Sequence, residues 1–326
     1  GGLVHWKAQE VANATWAYAA LGFQPGQQYL GQVCRHLASP QHLPGYKWQE
    51  VANTVWALAT LQYRDCAAAL AAVEREVLAR LGGGAENDGK QQQRQRDRDR
   101  DREQLFRSVR PADVSMLLWS YATLEHPAPA LFATLLPTLE RRSGQFSEPE
   151  LTNSVWAAAT LGVYDEQLMD AVAQHICSYR LPYLHLHQVA SIAWSYGKLQ
   201  HEHKPLFDGL VARAVTYPVA AAAAVSVAIP GTNLTVMSQF VRLCCAVGIF
   251  GWRYPELLEV TAQRLRSILT HLRGGNGGNG GNGGNGGNGG RFGGGRVALP
   301  GAAIAHPVRG SPATAAARIP ATASVA

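Results

Sequence analysis

A thirteen-residue pattern of apolar and small positions recurs along the chain and predicts its helices. Val51–Tyr63 reads V-A-N-T-V-W-A-L-A-T-L-Q-Y, with apolar residues at positions 0, 1, 4, 5, 8 and 10 counted from Val51. Because these positions cover most of the circumference of an α-helix, we expect a helix that is buried between neighbours. The pattern occurs five more times, with Arg242 replacing the tryptophan in the last copy: Val11–Phe23, Val114–His126, Leu151–Val163, Val189–His201 and Met237–Ile249.

The spacing of the copies indicates a repeat. From one copy to the next, the tryptophan positions are 40, 63, 37, 38 and 48 residues apart: Trp16, Trp56, Trp119, Trp156, Trp194 and Arg242. The two long spacings each contain a low-complexity stretch, namely the 23 residues Gly82–Gln104 and the alanine-rich Ala220–Ile229. Without these stretches the period is about 38 residues, which is the length of a helix-turn-helix repeat unit.

Each unit carries signals for both ends of its first helix. An acid or amide, which suits the positive end of the helix dipole, stands directly before position 0 in five copies: Glu10, Glu50, Asp113, Glu150 and Gln188. Three copies have an aromatic residue that we expect to pack over the helix start: Trp6, Tyr46 and Phe146. We predict that each helix ends at a glycine or a short polar turn at position 11: Gly22, Gln62, Glu125, Gly162, Gln200 and Gly248.

A second helix is predicted to follow each first helix. The predicted segments are Gln27–Leu37, Cys66–Leu81, Pro129–Arg142, Glu166–Tyr179, Pro205–Val215 and Pro255–His271. Alanines at positions 6 and 8 of the first helix allow close approach of its neighbours, and we expect the tryptophan to fill the core between repeats.

The predicted fold is therefore all-α, a right-handed α-solenoid of about six helix-turn-helix repeats in one elongated domain. We assign repeats 1–2 to residues 1–81 and repeats 3–6 to residues 105–273. Residues 82–104 form a charged low-complexity insert, and residues 274–326 form a tail rich first in Gly and Asn, then in Ala and Pro. We predict that both are disordered, because they cannot bury enough apolar surface to offset the entropy of ordering.

Charge and cysteine content narrow the function classes only slightly. The formal net charge is +6; the insert contributes zero and the tail +4, which leaves +2 for the repeats. This charge is compatible with nucleic-acid binding but does not require it.

The cysteines include no C-x-x-C pair, which disfavours a zinc or thioredoxin-like site. We expect buried free thiols in a reducing compartment: Cys34, Cys66, Cys177, Cys244 and Cys245. The chain begins without methionine and enters the first repeat within ten residues, so we expect a fragment of a longer protein.

A 38-residue two-helix unit with the pattern aromatic-x-x-x-E-V-A-N-x-x-W-A-x-A-x-L-G resembles the octotricopeptide repeat, and the related repeats of FAST-kinase-like and RAP-domain proteins. The resemblance covers about residues 6–271, and green-algal members of the family carry similar low-complexity inserts. The sequence departs from the family in lacking a clear proline-rich motif and a RAP domain after His271. The resemblance implies a chloroplast or mitochondrial protein that binds single-stranded RNA, either transcripts or ribosomal RNA, and regulates its stability, processing, splicing or translation. It also allows other organellar RNA-processing proteins as partners.

Two columns of residues are the candidate RNA-binding positions. Position 2 holds Asn13, Asn53, Asn153 and Ser191 in four copies, and either contacts bases or forms a buried ladder with the backbone of the neighbouring repeat. Cations near the helix starts, together with one at position 9, either follow phosphates or form a solvated rim: Lys7, Lys47, Arg107, Arg110 and Lys198.

We expect no catalytic site, cofactor, metal, membrane or small-molecule substrate. The pairs His185–His187 and His201–His203 are separated by one intact helix, too far apart to converge on a metal, and no nucleophile–base arrangement stands out. The predicted function is RNA binding, at one base per unit about six nucleotides. The alternative is a protein-binding scaffold of the HEAT or armadillo type within an organellar ribonucleoprotein assembly.

Overall fold

The structure is a computed structural model that describes residues 2–81, 109–217 and 232–274, together with the short strand Ala317–Arg318. Side chains are described in these ranges except for residues 232–236, 268–274 and the strand. These parts of the chain are predominantly helical, which confirms the all-α prediction. Several predicted segments lie outside the described residues. They are the insert at 82–104, Arg107, the alanine-rich Ala220–Ile229, and all of the predicted tail beyond Gly274 apart from the strand.

The helices occur in pairs, as the repeat predicts. The first helices of the pairs are α1 (Ala8–Ala20), α3 (Trp48–Thr60), α5 (Pro111–Thr123), α8 (Glu148–Leu161), α10 (Leu186–Lys198) and α12 (Thr232–Ile249). The second helices are α2 (Gln27–Ala38), α4 (Ala67–Arg80), α6 (Pro129–Leu135) with α7 (Pro137–Arg142), α9 (Glu166–His175), α11 (Lys204–Val215) and α13 (Pro255–Gly274). Short 3-10 turns precede four of the first helices: Leu3–His5, Leu43–Gly45, Ser143–Gln145 and Leu181–Tyr183.

The predicted acid or amide caps the start of most first helices. In α1 and α3, the side chains of Glu10 and Glu50 accept a hydrogen bond at 2.8 Å from the main-chain N–H of the N-cap residue. Glu150 and Gln188 do the same in α8 and α10, so an amide oxygen serves as well as a carboxylate. The bond satisfies a donor that would otherwise lack a partner at the helix start. In α5, Asp113 binds an arginine side chain instead.

The aromatic residue before the helix packs inwards where a repeat precedes it. Tyr46 and Phe146 are buried, as the prediction requires, whereas Trp6 in the first repeat is partly exposed. Val109 and Leu184 occupy the same position in α5 and α10 and are also buried, so any sizeable apolar residue fills this site.

Five first helices end at the predicted residue. Position 11 adopts the left-handed backbone conformation, with φ between 54° and 71°, in each of them: Gly22, Gln62, Glu125, Gly162 and Gln200. The prediction is wrong for Gly248, because α12 continues to Ile249 and Gly251 takes the left-handed conformation, with φ of 68°. The helix α12 also begins before Met237, the first residue of the recurring pattern.

Two second helices are interrupted where one continuous helix was predicted. Pro129–Arg142 is divided into α6 and α7 at Leu136, because Pro137 has no N–H to donate and its ring opposes a continuous helix. Glu166–Tyr179 ends as an α-helix at His175 and continues as a π-helical turn, Ile176–Arg180. The remaining second helices match their predicted bounds to within a few residues.

The helices form two layers. First helices contact one another in chain order, α1 with α3, then α5, α8, α10 and α12. Second helices also contact their successors in chain order, with the π-helical turn Ile176–Arg180 after α9 making the contact to α11. Near the helix starts, Ser115 of α5 donates to the carbonyl of Glu150 of α8 at 3.1 Å. Near the helix ends, Lys198 of α10 donates to the carbonyl of Thr160 of α8, also at 3.1 Å. Neighbouring first helices therefore run parallel, with like ends together. One apolar core from Leu3 to Leu257 lies between the layers.

A basic residue closes each of the first five pairs, which the sequence analysis did not predict. Near the end of the second helix or in the turn after it, a side chain contacts the carbonyl oxygen of the residue that precedes the N-cap of the first helix. The pairs are His36 with Trp6, Arg80 with Tyr46, Arg142 with Val109, Arg180 with Phe146 and Arg213 with Leu184. In the sequence, a basic residue stands 29 to 34 positions after the apolar residue that precedes each N-cap, and this spacing could have predicted the contact.

Val163–Tyr164 pairs in parallel with Ala317–Arg318 as two-residue strands. Among the helices in the described ranges, none combines the length and the apolar character needed to cross a membrane.

Candidate nucleic-acid interface

The tryptophans form a partly exposed column on the outer side of the first-helix layer. Trp16 is 46% exposed, and the four later tryptophans are half-buried. The prediction that the tryptophans fill the core therefore holds only in part, because Trp56, Trp119 and Trp156 pack against the core but keep part of their surface exposed. Small residues on both sides explain this, because Ala57 and Ala59 beside Trp56 are fully buried against neighbouring helices. The close approach of the neighbours leaves the indole at the outer surface of the layer.

Positions 2, 5 and 9 of a helix lie on one stripe, so the asparagine column shares this surface with the tryptophans. Asn13 is exposed, and Asn53, Asn153 and Ser191 are half-buried. In the part of the chain that the structure describes, the three asparagine side chains make no hydrogen bond. The buried ladder to the neighbouring backbone is therefore not formed, and the amides are available to a ligand. We call the stripe formed by positions 2, 5 and 9 of the first five first helices the tryptophan face.

Position 9 completes the tryptophan face with hydroxyl groups and one cation. The Oγ1 atoms of Thr60, Thr123 and Thr160 lie beneath the surface without a hydrogen-bond partner among the described residues. In the fifth repeat Lys198 takes this position; its Nζ lies 4.9 Å from the centre of the Trp194 ring, a cation–π contact. Partial burial lowers the pKa of Lys198.

The other candidate cations lie at the opposite end of the first helices. Lys7 and Lys47 are the N-cap residues of α1 and α3 and are exposed. Arg110 is the N-cap of α5, but its guanidinium binds both carboxylate oxygens of Asp113, at 2.6 and 3.0 Å, and this pairing raises its pKa. The structure brings these three to one edge, roughly 20 Å from position 9 at 1.5 Å per helical residue, so Lys198 is not part of the same row.

Three of the four histidines in the two H-x-H pairs form hydrogen bonds within the protein, and His187 stacks on the ring of His185. His185 contacts the hydroxyl of Tyr217, His203 accepts from the N–H of Leu206 at the start of α11, and His201 lies between Tyr164 and Asp170. Across the described ranges, no cluster of three or more His, Cys, Asp or Glu side chains is placed to hold a metal ion.

All five cysteines are free thiols, but they are not all buried. Burial raises the pKa of the Cys34 thiol to about 12 and that of Cys66 to about 11, so both are protonated at neutral pH. Cys245 in α12 is exposed, contrary to prediction.

A cavity of about 280 Å³ lies beside the first turn of the chain, away from the tryptophan face. His36 and His42 line it, with ring centres 4.1 Å apart. Both rings are held by hydrogen bonds to protein groups, so neither faces the cavity as a free base.

Comparison of the chain with protein-family models gives no match, and comparison with curated proteins gives none either.

Proposed function

We propose that the chain is a right-handed α-solenoid that binds single-stranded RNA along the tryptophan face. Each of the first five repeats offers one partly exposed indole, on which a base can stack, and one position-2 side chain three residues before it. In repeats 1, 2 and 4 that side chain is an asparagine, whose amide can both donate to and accept from the edge of a base.

The main support for the proposal is that two features occur together on the tryptophan face. The asparagine amides at position 2 have no protein partner, and the indoles at position 5 are not enclosed by the core. Stacking on an aromatic side chain contributes about 1–3 kcal/mol per base and tolerates any sequence, whereas the variable position-2 side chain would supply discrimination. Lys7, Lys47 and Lys198 would contact phosphates, and Arg110 would do so only if it left Asp113.

The octotricopeptide-like pattern supports an organellar setting. We propose that the protein is related to that family, acts in a chloroplast or mitochondrion, and regulates RNA stability, processing, splicing or translation as a binding protein without catalytic activity of its own.

A second candidate function, a protein-binding scaffold, is favoured by the electrostatics of the same face. Positions 2, 5 and 9 carry one charged side chain in the first five repeats, Lys198, and the guanidinium of Arg110 is bound to a carboxylate. An extended peptide would also suit this face, since amides pair with a peptide backbone and indoles accept apolar side chains.

The test is fluorescence anisotropy of the full chain with labelled single-stranded RNA pools across a salt series. We expect binding that weakens with salt, with a slope of a few units, and weaker binding to single-stranded DNA. Trp56→Ala should weaken RNA binding at least fivefold, the lower end of the stacking contribution. Asn53→Asp, which adds a negative charge while keeping the size of the side chain, should also weaken it.

The matched control is Tyr179→Ala, since Tyr179 is an exposed aromatic residue in the second layer. Its RNA affinity should equal that of the parent chain, while circular dichroism shows all variants to be folded. If the parent chain, Trp56→Ala and Asn53→Asp bound RNA with equal affinity, the tryptophan face would not be the RNA-binding surface. A parent chain that binds no RNA but binds extended peptides through Trp56 would establish the scaffold function instead.

A further inference from the structure

Charged side chains on the stripe of positions 2, 5 and 9 are confined to two neighbouring repeats. Among the residues at these positions in the six first helices, only Lys198 and Arg242 are charged, and none is acidic. Lys198 occupies position 9 of α10, and Arg242 occupies position 5 of α12, where the earlier repeats have tryptophan. Arg242 therefore continues the line of the tryptophan face onto α12. The stripe is uncharged along repeats 1–4 and positive at repeats 5 and 6.

The two helices that carry these cations pack closely against each other. A Cβ atom placed on Gly197, at position 8 of α10, would lie 3.4 Å from the Cα atom of Ala246, at position 9 of α12. Lys198 directly follows Gly197, and Arg242 precedes Ala246 by about one helical turn. Both cations are therefore close to the point where the two backbones approach, on the same outer side of the first-helix layer.

Neither cation has a carboxylate partner among the described residues. The ammonium group of Lys198 donates to the main-chain carbonyl of Thr160 and lies over the ring of Trp194, and both of these groups are uncharged. Arg242 is half-buried, and its side chain makes no hydrogen bond or ion pair within the described ranges. Both positive charges are therefore available to an anion, unlike that of Arg110, which is bound to Asp113.

The exposure of Arg242 does not depend on what lies beyond α12. Position 5 keeps part of its surface exposed in each first helix that has another first helix on both sides: Trp56, Trp119, Trp156 and Trp194. A neighbour on either side of a first helix therefore leaves this position at the outer surface of the layer. The same holds for Arg242, which occupies position 5 of α12.

We propose that Lys198 and Arg242 bind two successive phosphate groups of the RNA, one on each side of the nucleotide at repeat 5. Trp194 lies between them, because Lys198 reaches the carbonyl of Thr160 on α8, whereas Arg242 is on α12, the other neighbour of α10. Ammonium and guanidinium groups both donate charge-assisted hydrogen bonds to phosphate oxygens. The inference rests on the proposed RNA binding and adds a division of the face. Repeats 1–4 contact bases, and repeats 5 and 6 hold the backbone.

RNA fits this arrangement because its charge is regular. Two cations on consecutive repeats match a ligand that carries one negative charge per repeat, as a single strand does when each repeat binds one nucleotide. The uncharged repeats of the same face offer indoles on which the adjoining bases can stack. One ligand therefore accounts for both the neutral and the positive part of the stripe.

The experiment is fluorescence anisotropy of the full chain with labelled single-stranded RNA pools between about 50 and 200 mM salt. Each phosphate contact contributes about 0.7 to the slope of log affinity against log salt for a single strand. Lys198→Met and Arg242→Met, which keep apolar length but remove the charge, should therefore each reduce the slope by about 0.7, and the double variant by about 1.4. Trp56→Ala should weaken binding at every salt concentration without changing the slope, because stacking releases no counterions.

Arg75→Met is the matched control, since it removes one charge from an exposed arginine on α4 in the second layer. Its slope should equal that of the parent chain. Lys198→Arg keeps the charge and should keep the parental slope, which separates phosphate binding from loss of packing on Trp194. Circular dichroism should show every variant to be folded.

The outcomes separate this site from the proposed function. If Trp56→Ala weakens RNA binding but Lys198→Met and Arg242→Met keep the parental slope, the face binds RNA and the phosphate site is wrong. A slope that falls equally in Arg75→Met also overturns the site, because the change would then reflect net charge alone. A parent chain that binds no RNA overturns both the phosphate site and the proposed function.

Discussion

Arg80 donates from Nη1 to the main-chain carbonyl oxygen of Tyr46 at 2.7 Å, and so joins the end of α4 to the residue that precedes the N-cap of α3. The same guanidinium donates to the carbonyl of Leu43 and to the carboxylate of Glu76. Equivalent bonds in four other pairs mean that a basic residue holds the turn before each of the first five first helices. Most of these basic side chains therefore stabilise the fold and are not free to bind a ligand.

Replacing Arg80 should destabilise the chain. Arg80→Met keeps much of the apolar length of the side chain but removes the guanidinium that donates to the carbonyl groups of Tyr46, Leu43 and Pro44, which we expect to cost about 1–3 kcal/mol of the free energy of unfolding. Urea denaturation followed by circular dichroism measures this. Arg75→Met is the control, since Arg75 is an exposed arginine on the same helix, and it should change the free energy by less than about 0.5 kcal/mol. Equal effects of the two substitutions would contradict a structural role for Arg80.

The residue at position 11 should respond to glycine in a predictable direction. Gln200 adopts φ of 54°, which is unfavourable for a residue with a Cβ, so Gln200→Gly should stabilise the chain by about 1 kcal/mol. Gly162 adopts φ of 71°, and a Cβ added there meets no atom within 4 Å. Gly162→Ala should therefore cost about 1 kcal/mol through backbone strain alone. Thermal or urea unfolding of both variants is the measurement, and a destabilising Gln200→Gly would refute the argument.

Stability should fall as the pH drops through the range of His36. Burial, followed by the neighbouring His42, lowers the pKa of His36 in the folded state. The carbonyl of Trp6 can only accept, so Nε2 carries the proton, and Nδ1 accepts from the hydroxyl of Tyr46 at 2.8 Å. Below about pH 6.5 the unfolded chain binds the proton first, so the contribution of His36 is complete above that pH and is lost as the pH falls towards the folded-state pKa.

His36→Gln should therefore be less sensitive to acid than the parent chain. The difference in free energy of unfolding between the two should shrink as the pH is lowered from about 7.5 to about 5. The variant should retain some pH dependence, because burial also lowers the pKa of His175, His187 and His201. A difference that stayed constant across this range would show that His36 does not titrate in the way its contacts indicate.

The repeat period and the limits of the first helices could be predicted because they depend on local chemistry. A carboxylate or amide at the third helical residue accepts from the N-cap N–H, and position 11 takes the left-handed conformation, whatever packs around the helix. The same local reasoning failed at Gly248, where α12 continues through a position that ends the helix in the other repeats.

Tertiary packing decided which side of each helix is a surface. The tryptophan helix is apolar around most of its circumference, so its sequence does not distinguish the side that meets solvent from the sides that meet neighbours. Because neighbouring helices contact one another through the alanines at positions 6 and 8, Trp56 lies towards the surface. Leu21 in the first helix α1 is exposed, whereas Leu61 at the same position of the internal helix α3 is buried. The bond from Arg80 to Tyr46 spans 34 residues and was likewise decided by the packing of one helix against its partner. The sequence by itself therefore determined the repeating helices and their ends, which follow from hydrogen bonds within a few residues. Only the assembled layers determined the exposed faces, because burial depends on the neighbours that cover a helix.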